Sequence, residues 1–263
     1  FGFLSASVAI AYICPIIDQW MASFLETGAV SVLSYANRLI VGAASLAASA
    51  LGPALLPHFS RLAARGETDR FNFHYMAILR MTWWGSIAMA GIMWLISEPA
   101  VALLYEHGNF TRADSLAVSS MVGWLCLQFP PMLAGAVGST VLSASGNNRV
   151  FLPLSILIAI INAGGTLALV PYYGLPGIAL STIMTYLVSL VVINVVLVKK
   201  GIIRIHRSLL RNLAISLITA VAIGTLLIIA EGKLSVLPTA EQFLLCAVAV
   251  GAYCVIAYIC TKK

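Results

Sequence analysis

Eight apolar runs, each close to the length of a bilayer crossing, constrain this chain more than any other feature. They cover residues 2–24, 32–59, 76–96, 115–142, 151–170, 177–198, 213–230 and 243–260. A helix needs about 20 mostly apolar residues to cross the ~30 Å hydrocarbon core. Inside that core every backbone N–H and C=O must be satisfied by the protein, which leaves helices or closed barrels. The runs are continuous rather than alternating, so they predict helices. A soluble alternative fails on polar surface. Of 263 residues 61% are hydrophobic and 9% charged, against about 25% charged in ordinary soluble domains. The expected fold is therefore all-α: a polytopic membrane helix bundle with eight transmembrane helices. The chain opens at Phe1 inside an apolar run, with no basic stretch resembling a signal peptide ahead of it. It reads as one lobe of a larger protein, with its N-terminal part missing.

Charge segregates between alternate connections. Arg61, Arg65, Arg70, Arg149, Lys199, Lys200, Arg204, Arg207, Arg211, Lys262 and Lys263 fall in one set. The other set holds only Arg112 and Lys233, with Glu26, Glu98, Glu106, Asp114, Glu231 and Glu241. Positively charged loops stay in the cytoplasm, so the first set is expected inside and both chain ends with it. An even number of spans requires the same. The net charge of +6 is thus explained by membrane topology, and no nucleic-acid partner is expected. The stretch 199–212, KKGIIRIHRSLLRN, is a basic linker, read as a topology anchor or as a contact for anionic lipid. It separates a unit at 1–198 from a pair of spans at 213–263.

Proline interrupts several runs: Pro15 in the first, Pro53 and Pro57 late in the second, Pro130 and Pro131 in the fourth. Each removes a backbone donor and can kink its helix. The kink is either static packing or a bend that lets a transporter change shape. The second run is rich in small residues from Gly42 to Gly52, which permits close helix approach.

Asp18 and Arg38 are the ionisable residues that no loop accommodates. A charge at the bilayer centre costs at least about 2.5–3.5 kcal/mol, so such residues face a cavity or a partner. Both lie at similar distances from the turn near Thr27, so they either pair, line one polar cavity, or snorkel to the nearer interface. The planar guanidinium of Arg38 suits bidentate binding of phosphate. Arg80 lies near the cytoplasmic end of the third run, as an interface anchor or an attractor of phosphate. Asn162 and Asn194 sit mid-run and are expected to hydrogen-bond between helices.

No metal site or cofactor is expected. The four histidines lack HExxH or paired spacing, and the five cysteines lack zinc spacing. No Walker loop, nucleophile elbow or carboxylate cluster is present, so no catalytic residues are assigned and the chain is read as a non-enzyme.

The stretch GAVSVLSYANRLIVGAASLAASALGPALLPHFSRLAARGE resembles the MurJ/MviN family, the flippases of lipid-linked peptidoglycan precursor. Tyr35, Ala36, Asn37, Arg38 and Leu39 are the counterparts of its Tyr-Ala-Asp-Arg-Leu-like motif. The loop LLYEHGNFTRADS and the stretches SGNNRVFLP and VPYYGLPGIALST fit the family pattern at the expected places. The resemblance covers nearly the whole chain, as the C-terminal half of a fourteen-span protein. It implies the multidrug/oligosaccharidyl-lipid/polysaccharide exporter fold in the bacterial inner membrane, with two six-span lobes around a cationic cavity. It further implies that the last two spans form a groove for the lipid tail. Arg38 matches the arginine proposed to engage the diphosphate, and Asp18 matches an acidic position. Tyr35, Asn37 and Arg80 complete the expected substrate-binding set. Two departures stand out: Asn37 replaces an aspartate, and Val41 an often acidic residue. The implied cargo is undecaprenyl-diphosphate-linked disaccharide-pentapeptide, moved from inner to outer leaflet by alternating access. The implied partners are membrane lipids and the N-terminal lobe. Two alternatives stay open: another polyprenyl-linked oligosaccharide or a drug as cargo, and a non-transporting scaffold for cell-wall enzymes.

Overall fold

The computed structural model describes residues 2–203. The predicted spans 213–230 and 243–260, the last lysines and most of the basic linker lie outside the described residues. Within them the chain forms α1 (Gly2–Ala11), α2 (Ile13–Ala22), α3 (Ala29–Ala64), α4 (Thr68–Tyr105), α5 (Arg112–Cys126), α6 (Phe129–Ala144), α7 (Phe151–Tyr173) and α8 (Leu175–Lys199), with a single 3-10 turn at Asn148–Val150. No strand occurs among the described residues. Each of the first six apolar runs is helical.

Four runs map onto single helices, and two are broken where proline removes a donor. Pro15 cannot supply the N–H that the Ala11 carbonyl would accept, and α1 ends at Ala11. Pro130 and Pro131 occupy the first turn of α6, where a missing N–H costs nothing. The Cys126 and Leu127 carbonyls lose their donors, and α5 and α6 meet at a 46° bend. Pro53, Pro57 and Pro99 do not end their helices. Four helices are long and apolar enough to cross a membrane, or five with the bent α5–α6 pair taken as one span. No more than 33% of any of the four apolar windows is buried inside the protein, so most of each apolar face is left for lipid.

The helices turn back and forth between two ends. The α2–α3, α4–α5 and α7–α8 turns share the end that the charge pattern assigns to the outside. Trp20, Phe24, Tyr172 and Tyr173 are exposed there, as an aromatic interface belt requires. α3 has 36 residues and α4 has 38, about 54–57 Å at 1.5 Å per residue. Both outrun the bilayer core, and their far ends form a hairpin closed by Gly66 at φ +67°.

Two hydrophobic clusters divide the bundle by depth. The one nearer the α2–α3 turn joins Met21, Leu33, Ile40, Val101, Val122, Phe129 and Ile178. The one nearer the α3–α4 turn joins Phe59, Tyr75, Trp83, Val137, Leu142, Ile193 and Leu197. Between α4 and α8, Tyr75 donates a buried hydrogen bond to Asn194 Oδ1 at 2.9 Å, the interhelical bond expected of a mid-span asparagine.

The tightest approach is between α7 and α8. A Cβ on Gly177 would lie 2.8 Å from the Leu169 backbone carbonyl, and backbone cannot swing aside as a side chain can. Gly177→Ala is therefore expected to destabilise the lobe by about 1–3 kcal/mol through overpacking. Thermal unfolding in detergent checks this; an unchanged midpoint would show that the helices part without cost.

Candidate functional site

Two polar features occupy the half of the bundle nearer the α2–α3 turn, and they face different ways. The first is buried. α2 turns Asp18, only 8% exposed, toward α7 and α8. Thr166 Oγ1 lies 3.1 Å from Asp18 Oδ1 and 3.1 Å from Ser181 Oγ. Ser181 Oγ in turn donates to the Asn162 carbonyl at 2.9 Å. The Asn162 side-chain Oδ1 has no partner although the residue is 1% exposed. The chain of contacts Asp18–Thr166–Ser181–Asn162 needs three hydrogens. The two hydroxyls supply two. All three contacts are hydrogen bonds at once only when the carboxyl contributes a proton.

Packing builds this cluster from small residues. Thr166 follows Asn162 by one helical turn on the same face of α7. Gly165 lets α8 come close, since a Cβ there would meet Ser181 Oγ at 2.6 Å. Asp18 is the one acidic side chain among the described residues that is buried. A carboxylate with hydroxyl and amide oxygens is a hard, oxygen-only set, suited to a proton or a small hard cation. No group of three or more His, Cys, Asp or Glu that could hold a metal occurs among the described residues.

The second feature is open. Arg38 stands on the third turn of α3 and is exposed. Its Cζ lies 5.6 Å from the centre of the Tyr35 ring, one turn earlier, a cation–π stack. No carboxylate among the described residues forms an ion pair with it. The same face continues through Gly42, Ser45 and Ser49, all exposed. Ser45 and Ser49 donate to the Gly42 and Leu46 carbonyls of their own helix, which leaves their oxygen lone pairs outward. Tyr35 is half-buried, against Tyr105 at 4.8 Å and Phe110 at 5.5 Å between ring centres.

The expected site residues therefore separate. Tyr35 and Arg38 come together. Asp18 does not pair with Arg38, because α7 supplies its partners. Asn37 is half-buried beside Arg38 on α3. Arg80 is exposed on α4, displaced from the level of Arg38 by about 20 Å toward the α3–α4 turn at 1.5 Å per residue. Sequence reasoning missed Thr166 and Ser181, which look like ordinary small residues of apolar helices. The asparagine at 162, four residues before Thr166, was the available signal.

A third group orders the loop between α4 and α5. Arg112 pairs with Glu98, and its Nη1 lies 3.8 Å from Glu106. Ser115 Oγ donates to Glu106 at 2.9 Å. Thr111 caps α5, accepting from the Asp114 N–H while its own N–H donates to the Asp114 carboxylate at 2.8 Å. The Thr111 hydroxyl and N–H hold the Asp114 carboxyl below its ordinary range.

The sequence model of the lipid II flippase MurJ family matches residues 1–245. A "Probable lipid II flippase MurJ" of Helicobacter pylori is 28% identical over 177 residues, 65% of this chain and 37% of that protein. Its namesake in Rhizobium tropici is 22% identical over 253 residues, 93% of this chain and 47% of that protein. The chain thus matches less than half the length of either relative. Among solved structures, "Lipid II flippase MurJ, inward closed conformation" matches with a TM-score of 0.68 at 21% identity, covering 98% of this chain and 53% of that one. A MOP-superfamily transporter from Pyrococcus furiosus matches with a TM-score of 0.54 at 17% identity, over 73% of this chain and 42% of that one. At these identities the two structures speak for the fold alone.

Proposed function

The chain belongs to the lipid II flippase MurJ family, and on that premise we propose that it is the C-terminal half of a transporter for a lipid-linked peptidoglycan precursor. Its task is to pass a polar, doubly phosphorylated headgroup across hydrocarbon. The exposed guanidinium of Arg38, free of any carboxylate among the described residues, is the observation that carries this reading. It is a permanent cation on an apolar span with no described carboxylate to neutralise it, and an incoming diphosphate supplies the missing charge. Gly42, Ser45 and Ser49 continue its face without bulk, as a path for a large headgroup requires.

The other residues take supporting parts. Tyr35 holds Arg38, Asn37 borders it, and Arg80 draws anionic headgroups toward the inner end of the path. The Asp18 cluster takes up and releases a proton or cation during the cycle. The first six spans, 1–198, act as a lobe that rocks against an N-terminal lobe. The linker 199–212 joins them to a two-span groove for the tail at 213–263. The protein sits in the inner membrane, with both ends of this chain cytoplasmic, surrounded by membrane lipids. It performs transport rather than enzymatic chemistry.

The test uses the full-length protein in cells depleted of their own flippase. Rescue of wall synthesis, together with binding of undecaprenyl-diphosphate lipids in preference to cationic drugs, supports the proposal. Preference for another polyprenyl-linked glycan moves the cargo within the superfamily. Rescue that survives loss of lipid binding points to the scaffold reading.

A further inference from the structure

The outer loop between α4 and α5 packs on the residue that carries Arg38. The loop is short, and its path is set at both ends. The Glu106 N–H still bonds the Ala102 carbonyl, and the His107 N–H donates to the Tyr105 carbonyl at 2.7 Å. Gly108 then takes φ +65°, a left-handed value that residues with a Cβ rarely adopt. The Phe110 N–H closes on the His107 carbonyl at 3.3 Å. Immediately afterwards Thr111 starts α5 with its capping box, and Arg112 ties that start to Glu98 and Glu106. With the backbone so held, the Phe110 ring falls back against α3.

There it completes an aromatic triangle. The Tyr35–Phe110 contact is edge-on at 87°, and Tyr105 and Phe110 lie 6.2 Å apart. Tyr35 is thus gripped by two rings from the loop side while Arg38 stacks against it. A long, exposed arginine side chain has many rotamers, and ordering one costs entropy on binding. A fixed ring beside the guanidinium removes part of that cost in advance. We propose that the outer loop is a positioning element for Arg38: Phe110 and Tyr105 brace Tyr35, and the Tyr35 ring sets where the guanidinium waits for a diphosphate. This rests on the reading of Arg38 proposed above, and makes Phe110 and Tyr105 positioning residues with no contact to the ligand.

The experiment measures binding of undecaprenyl diphosphate to full-length protein in nanodiscs, with thermal stability followed in parallel. Phe110→Ala is expected to raise the half-saturation concentration about 3- to 10-fold, the loss of one aromatic contact expressed as affinity. Phe110→Tyr restores most of it. Phe110→Leu, which keeps apolar volume and so guards against misfolding, shows the same loss as Phe110→Ala. The decisive arm is a double-mutant cycle. If the loop acts through the guanidinium, adding Phe110→Ala to Arg38→Ala weakens binding no further. A loss of equal size in both backgrounds overturns the proposal, because the loop then acts on general structure. Wild-type affinity in folded Phe110→Leu overturns it as well. Normal binding by Arg38→Ala overturns the reading of Arg38 itself. A loss in Arg38→Ala with unchanged Phe110 variants leaves that reading standing and removes only the brace.

Discussion

Arg38→Ala in the full-length protein is expected to weaken binding of a diphosphate lipid by about 10- to 100-fold and to abolish rescue of flippase-depleted cells. The magnitude follows from losing hydrogen bonds to a charged partner, roughly 1.5–3 kcal/mol. Arg38→Lys should fall between, because an ammonium keeps the charge but not the fork that meets two phosphate oxygens. The geometry makes this the largest effect in the described part of the molecule. Asp18, the one buried acid among the described residues, is engaged with Thr166, so no described carboxylate competes for the guanidinium. If Arg38→Ala binds lipid and supports growth as the wild type does, the side chain merely reaches to the interface. The diphosphate path must then be sought elsewhere.

The second large effect concerns Asp18, and two substitutions separate its roles. Asp18→Ala removes the carboxyl from beside Thr166 and leaves that hydroxyl only Ser181 as partner, so the lobe loses a buried hydrogen bond worth about 1–3 kcal/mol. A marked drop in thermal midpoint is expected. Asp18→Asn keeps a donor for Thr166 and so mimics the carboxyl with its proton on. It is expected to fold normally, yet its lipid transport into proteoliposomes should lose the wild type's response to an imposed proton or cation gradient. Flux through Asp18→Asn that follows those gradients as before would take Asp18 out of the cycle and leave it a structural hydrogen-bond acceptor.

The two residues show why the site was only half legible in the sequence. A charge inside an apolar run is conspicuous because hydrocarbon penalises it, so both Asp18 and Arg38 stand out without any structure. What each charge faces depends on how its helix is rotated in the bundle. Distance from a turn fixes depth and says nothing about azimuth. Counting residues from Thr27 brings the two to one level, and packing then turns Asp18 toward α7 and leaves Arg38 outward. Thr166 and Ser181 stayed hidden because a hydroxyl in a membrane helix usually bonds its own backbone, as Ser45 and Thr182 do here. Only the close approach permitted at Gly165 makes them cross-helix partners.

The same division holds for the loop and for the breaks. Pro130 and Pro131 announce an interruption, since a missing N–H is a local fact. That they open α6 with a 46° bend, rather than kinking one long helix, is visible only in the structure. Phe110 reads as one more apolar loop residue until the tertiary structure sets it against Tyr35.

From its amino acids alone the chain is committed to a helical membrane bundle with a definite sense of charge across the bilayer and two charges that need an explanation. Those features follow from the one-dimensional cost of placing each residue in water or in hydrocarbon, which local sequence specifies. The partners of the charges, the separation of a buried acid from an open arginine, and the contact of a distant loop with the Tyr35 ring beside that arginine belong to the tertiary structure. They depend on helix rotation and on contacts between residues up to 148 positions apart. Such contacts arise from the packing of the whole bundle, and no window along the chain contains them.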